Sequence, residues 1–126
     1  MPKRVLTGPG IVQGSLPFSP VVEANGFVFL AGQVGDDPGT PGPVAGGIEA
    51  ETRQMLGNVG RLLRAAGLDF PDVVKATVYL RDFDDFAAMN GVYREFFPTE
   101  PPTRATVGVT RLALDYRVEI EVIAAR

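Results

Sequence analysis

The sequence contains neither cysteine nor histidine. Without cysteine there is no disulfide, no thiol nucleophile, no iron–sulfur cluster and no cysteine-ligated zinc. Without histidine the chain lacks the usual general base near neutral pH and the commonest metal ligand. Proton transfer must then fall to carboxylates, Lys, Tyr or bound water. Positive charge is also scarce: 12 Lys and Arg stand against 15 Asp and Glu, for a net charge of -3. The only tight basic cluster is Lys3-Arg4, so the broad basic surface that phosphate backbones require is missing, and no nucleic-acid partner is expected. No apolar run approaches the ~18 residues of a membrane span. The opening MPKRVLTGPG is not followed by an apolar signal core. Together these absences point to a cytoplasmic protein with no membrane partner and no metal site.

What is present suits one domain over residues 1–126. Hydrophobic residues make up 45% of the chain, enough for a real core, and at this length folding buries roughly two-thirds of the unfolded surface. Val21–Ala24 and Phe27–Leu30 are β-prone runs separated by Asn25-Gly26, the pair that favours a type I′ hairpin turn. Residues 32–47 (GQVGDDPGTPGPVAGG) read as a Gly/Pro-rich loop, either functional or a mobile excursion. Ile48, Thr52, Met55, Leu56, Val59, Leu62, Leu63 and Ala66 recur at helical steps, with Glu49, Glu51, Arg53, Asn58, Arg61 and Arg64 on the outer face. Gly67 supplies the stop. Val73–Leu80 is a strand. Asp82 caps a second helix running to about Phe97, with a buried stripe of Phe83, Phe86, Ala87, Asn90, Tyr93 and Phe97. Strands over 103–110 and 117–124 close the chain, and a short one near 4–6 completes the set. The order predicts an α+β two-layer sandwich: a mixed sheet with two helices on one face. The second face, expected to carry Thr77, Tyr79, Thr106, Gly108 and Thr110, is neither clearly wet nor clearly core. Self-association through it is the expected solution.

Arg104 is the leading candidate for chemistry. It follows Pro101-Pro102, whose fixed φ restrains the approach, and its planar fork of donors matches a carboxylate. A surface arginine or a structural ion pair is the competing reading. Glu119 and Glu121 fall on the same side as Arg104 if strand alternation holds, and a partly buried glutamate can hold a water and pass protons. If the last two strands form a hairpin centred near Ala113, Glu119 lies on the order of 14 Å along the strand from Arg104. That is too far for one small molecule. Either the strands pair differently or the groups come from two subunits, and the second is preferred. Asn90 sits in an apolar stripe and must be hydrogen-bonded. Gly32, at a strand end, permits close backbone approach. Asp36-Asp37 has no ordered third ligand and reads as a solvated turn.

Several stretches in order resemble the RidA/YjgF/UK114 (Rid, endoribonuclease L-PSP) family. They are Pro17-Phe18-Ser19, 29–33 (FLAGQ), 54–59 (QMLGNV), 65–67 (AAG), 72–80 (DVVKATVYL), 90–93 (NGVY), 96–97 (FF), 101–106 (PPTRAT) and 118–124 (VEIEVIA). The resemblance spans nearly the whole chain. It implies a chorismate-mutase-like fold with a six-stranded sheet, a homotrimer with sites between subunits, and no cofactor. It also implies hydrolysis of reactive 2-imino acids, such as 2-aminoacrylate and 2-iminobutanoate, to 2-keto acids and ammonia. Arg104 matches the family's essential arginine and Glu119 its water-handling glutamate; Phe18, Gly32, Asn90 and Thr106 match further substrate-binding positions. Three departures stand out. Phe18 replaces a tyrosine, Pro20 a glutamine, and Ala105-Thr106 a serine–cysteine pair. The alternatives are a hydrolase acting on another pathway intermediate and a non-catalytic trimeric binder of small carboxylic acids. A ribonuclease, the family's older name, is disfavoured by the acidic charge and the missing histidine.

Overall fold

Asn25 and Gly26 both have positive φ, 53° and 78°, as a type I′ turn requires. They join strand β2 (Val21–Ala24) to β3 (Phe27–Val34). The computed structural model describes residues 2–126. The remaining elements are β1 (Arg4–Val5), helix α1 (Gly47–Ala65), β4 (Val73–Leu80), helix α2 (Phe86–Phe96), β5 (Thr103–Gly108) and β6 (Val118–Ala125). The six strands form one mixed sheet in the order β1-β2-β3-β6-β4-β5. Both helices cover one face of it. The α+β two-layer reading therefore holds, including the short first strand.

The core lies between that face and the helices. Val28 and Leu30 of β3, Ala76, Val78 and Leu80 of β4, and Val118, Ile120 and Val122 of β6 point into it. From α1 they meet Met55, Leu56, Val59, Leu62 and Leu63, as the helical spacing predicts. The α2 stripe differs from expectation. Met89, Val92 and Tyr93 are the buried residues, while Phe83 and Ala87 are exposed. The reason is local: Asp82 accepts a hydrogen bond from the Asp84 backbone N–H at 2.9 Å and caps a 3₁₀ turn over Phe83–Asp85. The α-helix begins only afterwards; Tyr93 and Phe97 are buried and Phe86 and Asn90 half-buried, as the spacing predicts. Glu51 and Asn58, expected on the outer face of α1, are both buried.

The strand at 27–30 continues to Val34, so Gly32 and Gln33 lie inside β3 and not in the loop. Pairing of β3 with β6 is irregular between Leu30 and Gln33, a bulge that Gly32 accommodates. The loop that follows is tied down. The Asn58 amide lies within hydrogen-bond distance of the Val34 and Asp36 carbonyls, both at 2.9 Å. The Tyr116 hydroxyl accepts from the Gly42 N–H at 2.9 Å.

The last two strands do not form a hairpin. β5 pairs in parallel with β4, and β6 lies between β3 and β4, antiparallel to both. A parallel β4–β5 pair needs a crossover, and α2 supplies it. This changes which face each residue uses. Arg104 is paired with Ala76, Thr106 with Val78 and Gly108 with Leu80, all on the helix side. Glu119 and Glu121 are paired with Tyr79 and Thr77 on the open side. The expectation that Arg104 shares a face with Glu119 and Glu121 is therefore wrong, and Thr106 and Gly108 do not belong to the open face. Alternation held within β4, β5 and β6 except at the start of β4, where a register shift between Val73 and Lys75 buries Val73 and exposes Val74; the pairing partner set the side.

Candidate functional site

Two groups of candidate side chains form, one on each side of the sheet. The first is built by β5 and α2. Arg104 leaves the edge strand β5 toward the helix layer, and its guanidinium carbon lies 4.6 Å from the centre of the Tyr93 ring and 5.8 Å from that of Phe86. Such stacking over an aromatic face restrains an arginine without neutralising it. No carboxylate pairs with Arg104 among the described residues. Asn90, Tyr93, Arg94, Phe97, Pro101 and Arg104 line a cavity of about 180 Å³. Asn90 is half-buried at its edge, and its side chain makes no hydrogen bond to the described residues, contrary to the structural tie expected of a buried amide. Thr106 follows Arg104 on the same strand face, half-buried. It stands beside the cavity without walling it.

Tyr93 is the residue that sequence reasoning assigned to the core alone. It is 6% exposed, and its hydroxyl has no hydrogen-bond partner. Burial pushes its ionisation up, and the Arg104 charge pulls it back in part. Its spacing of three residues from Asn90, on one helix face, was the available signal.

The second group is built by β3 and β6. A side chain at Gly32 would collide with the Glu119 carboxylate, whose Oε2 occupies the space that a Cβ would take. Only glycine permits this approach. Glu119 is half-buried, and its pKa is raised, first by burial and second by the neighbouring Glu121 charge. Glu121 is engaged separately, accepting a hydrogen bond from the Tyr79 hydroxyl at 2.7 Å. Phe18 and Gly32 line a hollow of about 210 Å³ with Val12, Pro20 and Gln33. Phe18 is 56% exposed, so its ring is available for a further contact.

Gly32 and Glu119 are thus brought together, as are Gly32 and Phe18 in a hollow that Glu119 does not line, and as are Asn90, Tyr93 and Arg104. Arg104 and Glu119 are not. One chain presents two half-sites facing different directions. The open face also carries exposed apolar side chains: Val5 at 41%, Phe27 at 45%, Phe29 at 40% and Val107 at 41%.

The sequence model described as endoribonuclease L-PSP matches residues 12–126. A RutC family protein of Pyrococcus horikoshii is 48% identical over 108 residues, covering 86% of each chain. A 2-iminobutanoate/2-iminopropanoate deaminase of Capra hircus is 44% identical over 110 residues, 87% of this chain and 80% of that one. Among solved structures, E. coli TdcF with bound serine superposes with a TM-score of 0.88 at 35% identity, covering 98% of both chains. On sequence and on fold, the chain belongs to the endoribonuclease L-PSP family, the RidA/YjgF group.

Proposed function

We propose that the protein is a cofactor-independent imine deaminase that hydrolyses small 2-imino acids to 2-keto acids and ammonia, in sites completed between subunits of a homotrimer. The observation that carries this reading is the Arg104 guanidinium, held over the Tyr93 ring at 4.6 Å, unpaired and at a cavity wall. Several relatives, including the goat protein at 44% identity, bear the name of that activity.

The chemistry follows from the groups present. Arg104 takes the substrate carboxylate in two parallel bonds, and Asn90 offers its free amide to the same cavity. The imine carbon, electrophilic once its nitrogen is protonated, is thereby fixed in place. Glu119 orients a water and accepts one of its protons as the oxygen attacks. The new C–O bond gives a tetrahedral carbinolamine; the proton passes to nitrogen, the C–N bond breaks, and ammonia leaves behind the keto acid. No electron is transferred and no metal is needed. Holding water and substrate in line is the main contribution. The raised pKa of Glu119 suits it to proton transfer nearer neutral pH than an exposed carboxylate.

Because Arg104 and Glu119 face apart in one chain, the two halves meet only if a second copy supplies the other. The exposed apolar side chains of the open face support such an assembly. Thr106 stands beside the Arg104 cavity, and Phe18 lines the hollow beside Gly32.

A direct assay generates 2-aminoacrylate with a dehydratase and follows loss of the imine. The wild type accelerates loss; Arg104→Ala returns it to the buffer rate. Equal rates for wild type and buffer remove the deaminase reading. Binding of a keto acid without turnover makes the protein a carboxylic-acid binder instead.

A further inference from the structure

The chain has ten arginines, and six of them lie within 4.0 Å of a carboxylate: Arg4, Arg53, Arg64, Arg81, Arg117 and Arg126. Arg61 donates to the Asn58 side chain at 2.9 Å. Three remain without an anionic or amide partner among the described residues: Arg94, Arg104 and Arg111. Two of those three, Arg94 and Arg104, line the same cavity. Arg104 is half-buried and Arg94 exposed, so the second guanidinium is accessible to an anion from solvent.

Arg94 reaches the cavity from α2. Asn90, Tyr93, Arg94 and Phe97 are spaced at three and four residues and share one side of that helix. The apolar floor is Phe97 and Pro101, and the cations stand on separate elements, Arg94 on α2 and Arg104 on β5. A single carboxylate satisfies one guanidinium fork. The second fork, on the exposed Arg94, is left free to take another anionic group.

Resting on the reading of Arg104 as the carboxylate clamp, we propose that the preferred substrates are short 2-imino dicarboxylic acids, with Arg104 holding the carboxylate next to the imine and Arg94 the distal one. The reaction is unchanged: water adds to the imine carbon, the C–N bond breaks and ammonia leaves. What Arg94 adds is selection of an acidic side chain over a methyl or ethyl group.

The test compares imines generated in situ by amino-acid oxidases from aspartate and glutamate with those from alanine and 2-aminobutyrate. The wild type is expected to show kcat/KM about tenfold higher for the dicarboxylic imines. Arg94→Gln should lower the dicarboxylic-to-monocarboxylic ratio about tenfold, with Arg94→Lys in between because it keeps the charge but not the fork. Light scattering on each variant checks the assembly. A wild-type ratio at or below one, or a ratio that Arg94→Gln leaves alone, overturns the proposal. So does dissociation of the oligomer in Arg94→Gln, which would assign Arg94 to a neighbouring subunit's carboxylate. Arg104→Ala separates the two levels: turnover of every imine by that variant would remove the underlying site, whereas its loss alongside an unchanged Arg94→Gln ratio would remove the dicarboxylate preference alone.

Discussion

Arg104 on β5 is paired with Ala76, and Glu119 on β6 is paired with Tyr79, so the two side chains leave the sheet on opposite faces. If both act on one substrate, they belong to different protomers. Mixing inactive variants tests this. Arg104→Ala and Glu119→Gln should each be nearly inactive. Unfolded together in equal amounts and refolded, they should regain about a quarter of wild-type activity. Half of the Arg-bearing positions and half of the Glu-bearing positions are then intact, independently of each other, in a cyclic assembly. Activity that stays at the level of the single variants would place each site within one chain.

Gly32 supplies the opposite kind of test, since it contributes no side chain. A Cβ there meets the Glu119 carboxylate. Gly32→Ala should displace that carboxylate and lower kcat/KM by about tenfold or more, while Tm falls only by a few degrees because glycine is itself unfavourable inside a strand. Calorimetry and imine-hydrolysis kinetics on the same sample separate the two effects. An unchanged kcat/KM would show that the Glu119 position is not critical.

Much of this arrangement was legible in the residues. The hairpin at Asn25-Gly26, the α1 stripe, and alternation along β5, β6 and the part of β4 from Ala76 onward follow from local rules, and the structure agrees. What local rules do not contain is the partner of each strand. Residues 103–108 read the same whether the neighbour is β6 or β4, yet that choice decides the face on which Arg104 emerges. The two buried polar residues of α1 were misplaced for a related reason. Glu51 and Asn58 look like outer-face residues until the loop and the start of β6 supply backbone groups for them to bind. Tyr93 looked like core because it is core; its second role depends on Arg104 lying over it.

Tyr93 therefore makes a third prediction. Its ring is the surface on which the Arg104 guanidinium rests, and such contacts contribute about 0.5–2 kcal/mol. Its hydroxyl has no partner, so removing it sacrifices no bond. Tyr93→Phe should leave KM within about twofold of wild type, whereas Tyr93→Leu should raise KM about tenfold with a smaller change in kcat. A purely structural role would lower Tm in Tyr93→Leu without this split between KM and kcat. Equal damage from both variants would instead make the hydroxyl the important group.

Glu51 carries a prediction about stability and pH. It is 1% exposed on α1 and accepts hydrogen bonds from the backbone N–H groups of Arg117 at 2.6 Å and Val118 at 3.3 Å. It thereby pins the helix to the start of β6, the strand that bears Glu119. Burial raises its pKa above the ordinary 4.5, and the two N–H groups offset this only in part. Because the folded state holds this proton more tightly than the unfolded chain, ionising it weakens the fold. The contribution of Glu51 to stability is greatest below pH 4.5 and declines as pH rises through the raised folded value. Glu51→Gln retains an acceptor oxygen and removes the charge, so its stability should lack that decline. The difference between wild type and Glu51→Gln in urea unfolding should therefore widen from acid toward neutral pH. Glu51→Ala leaves both N–H groups without their acceptor, and should cost about 2–4 kcal/mol at acid pH and less toward neutral pH, as the wild type loses its own Glu51 contribution. A parallel pH dependence in wild type and Glu51→Gln would show that the carboxyl group is not the titrating element.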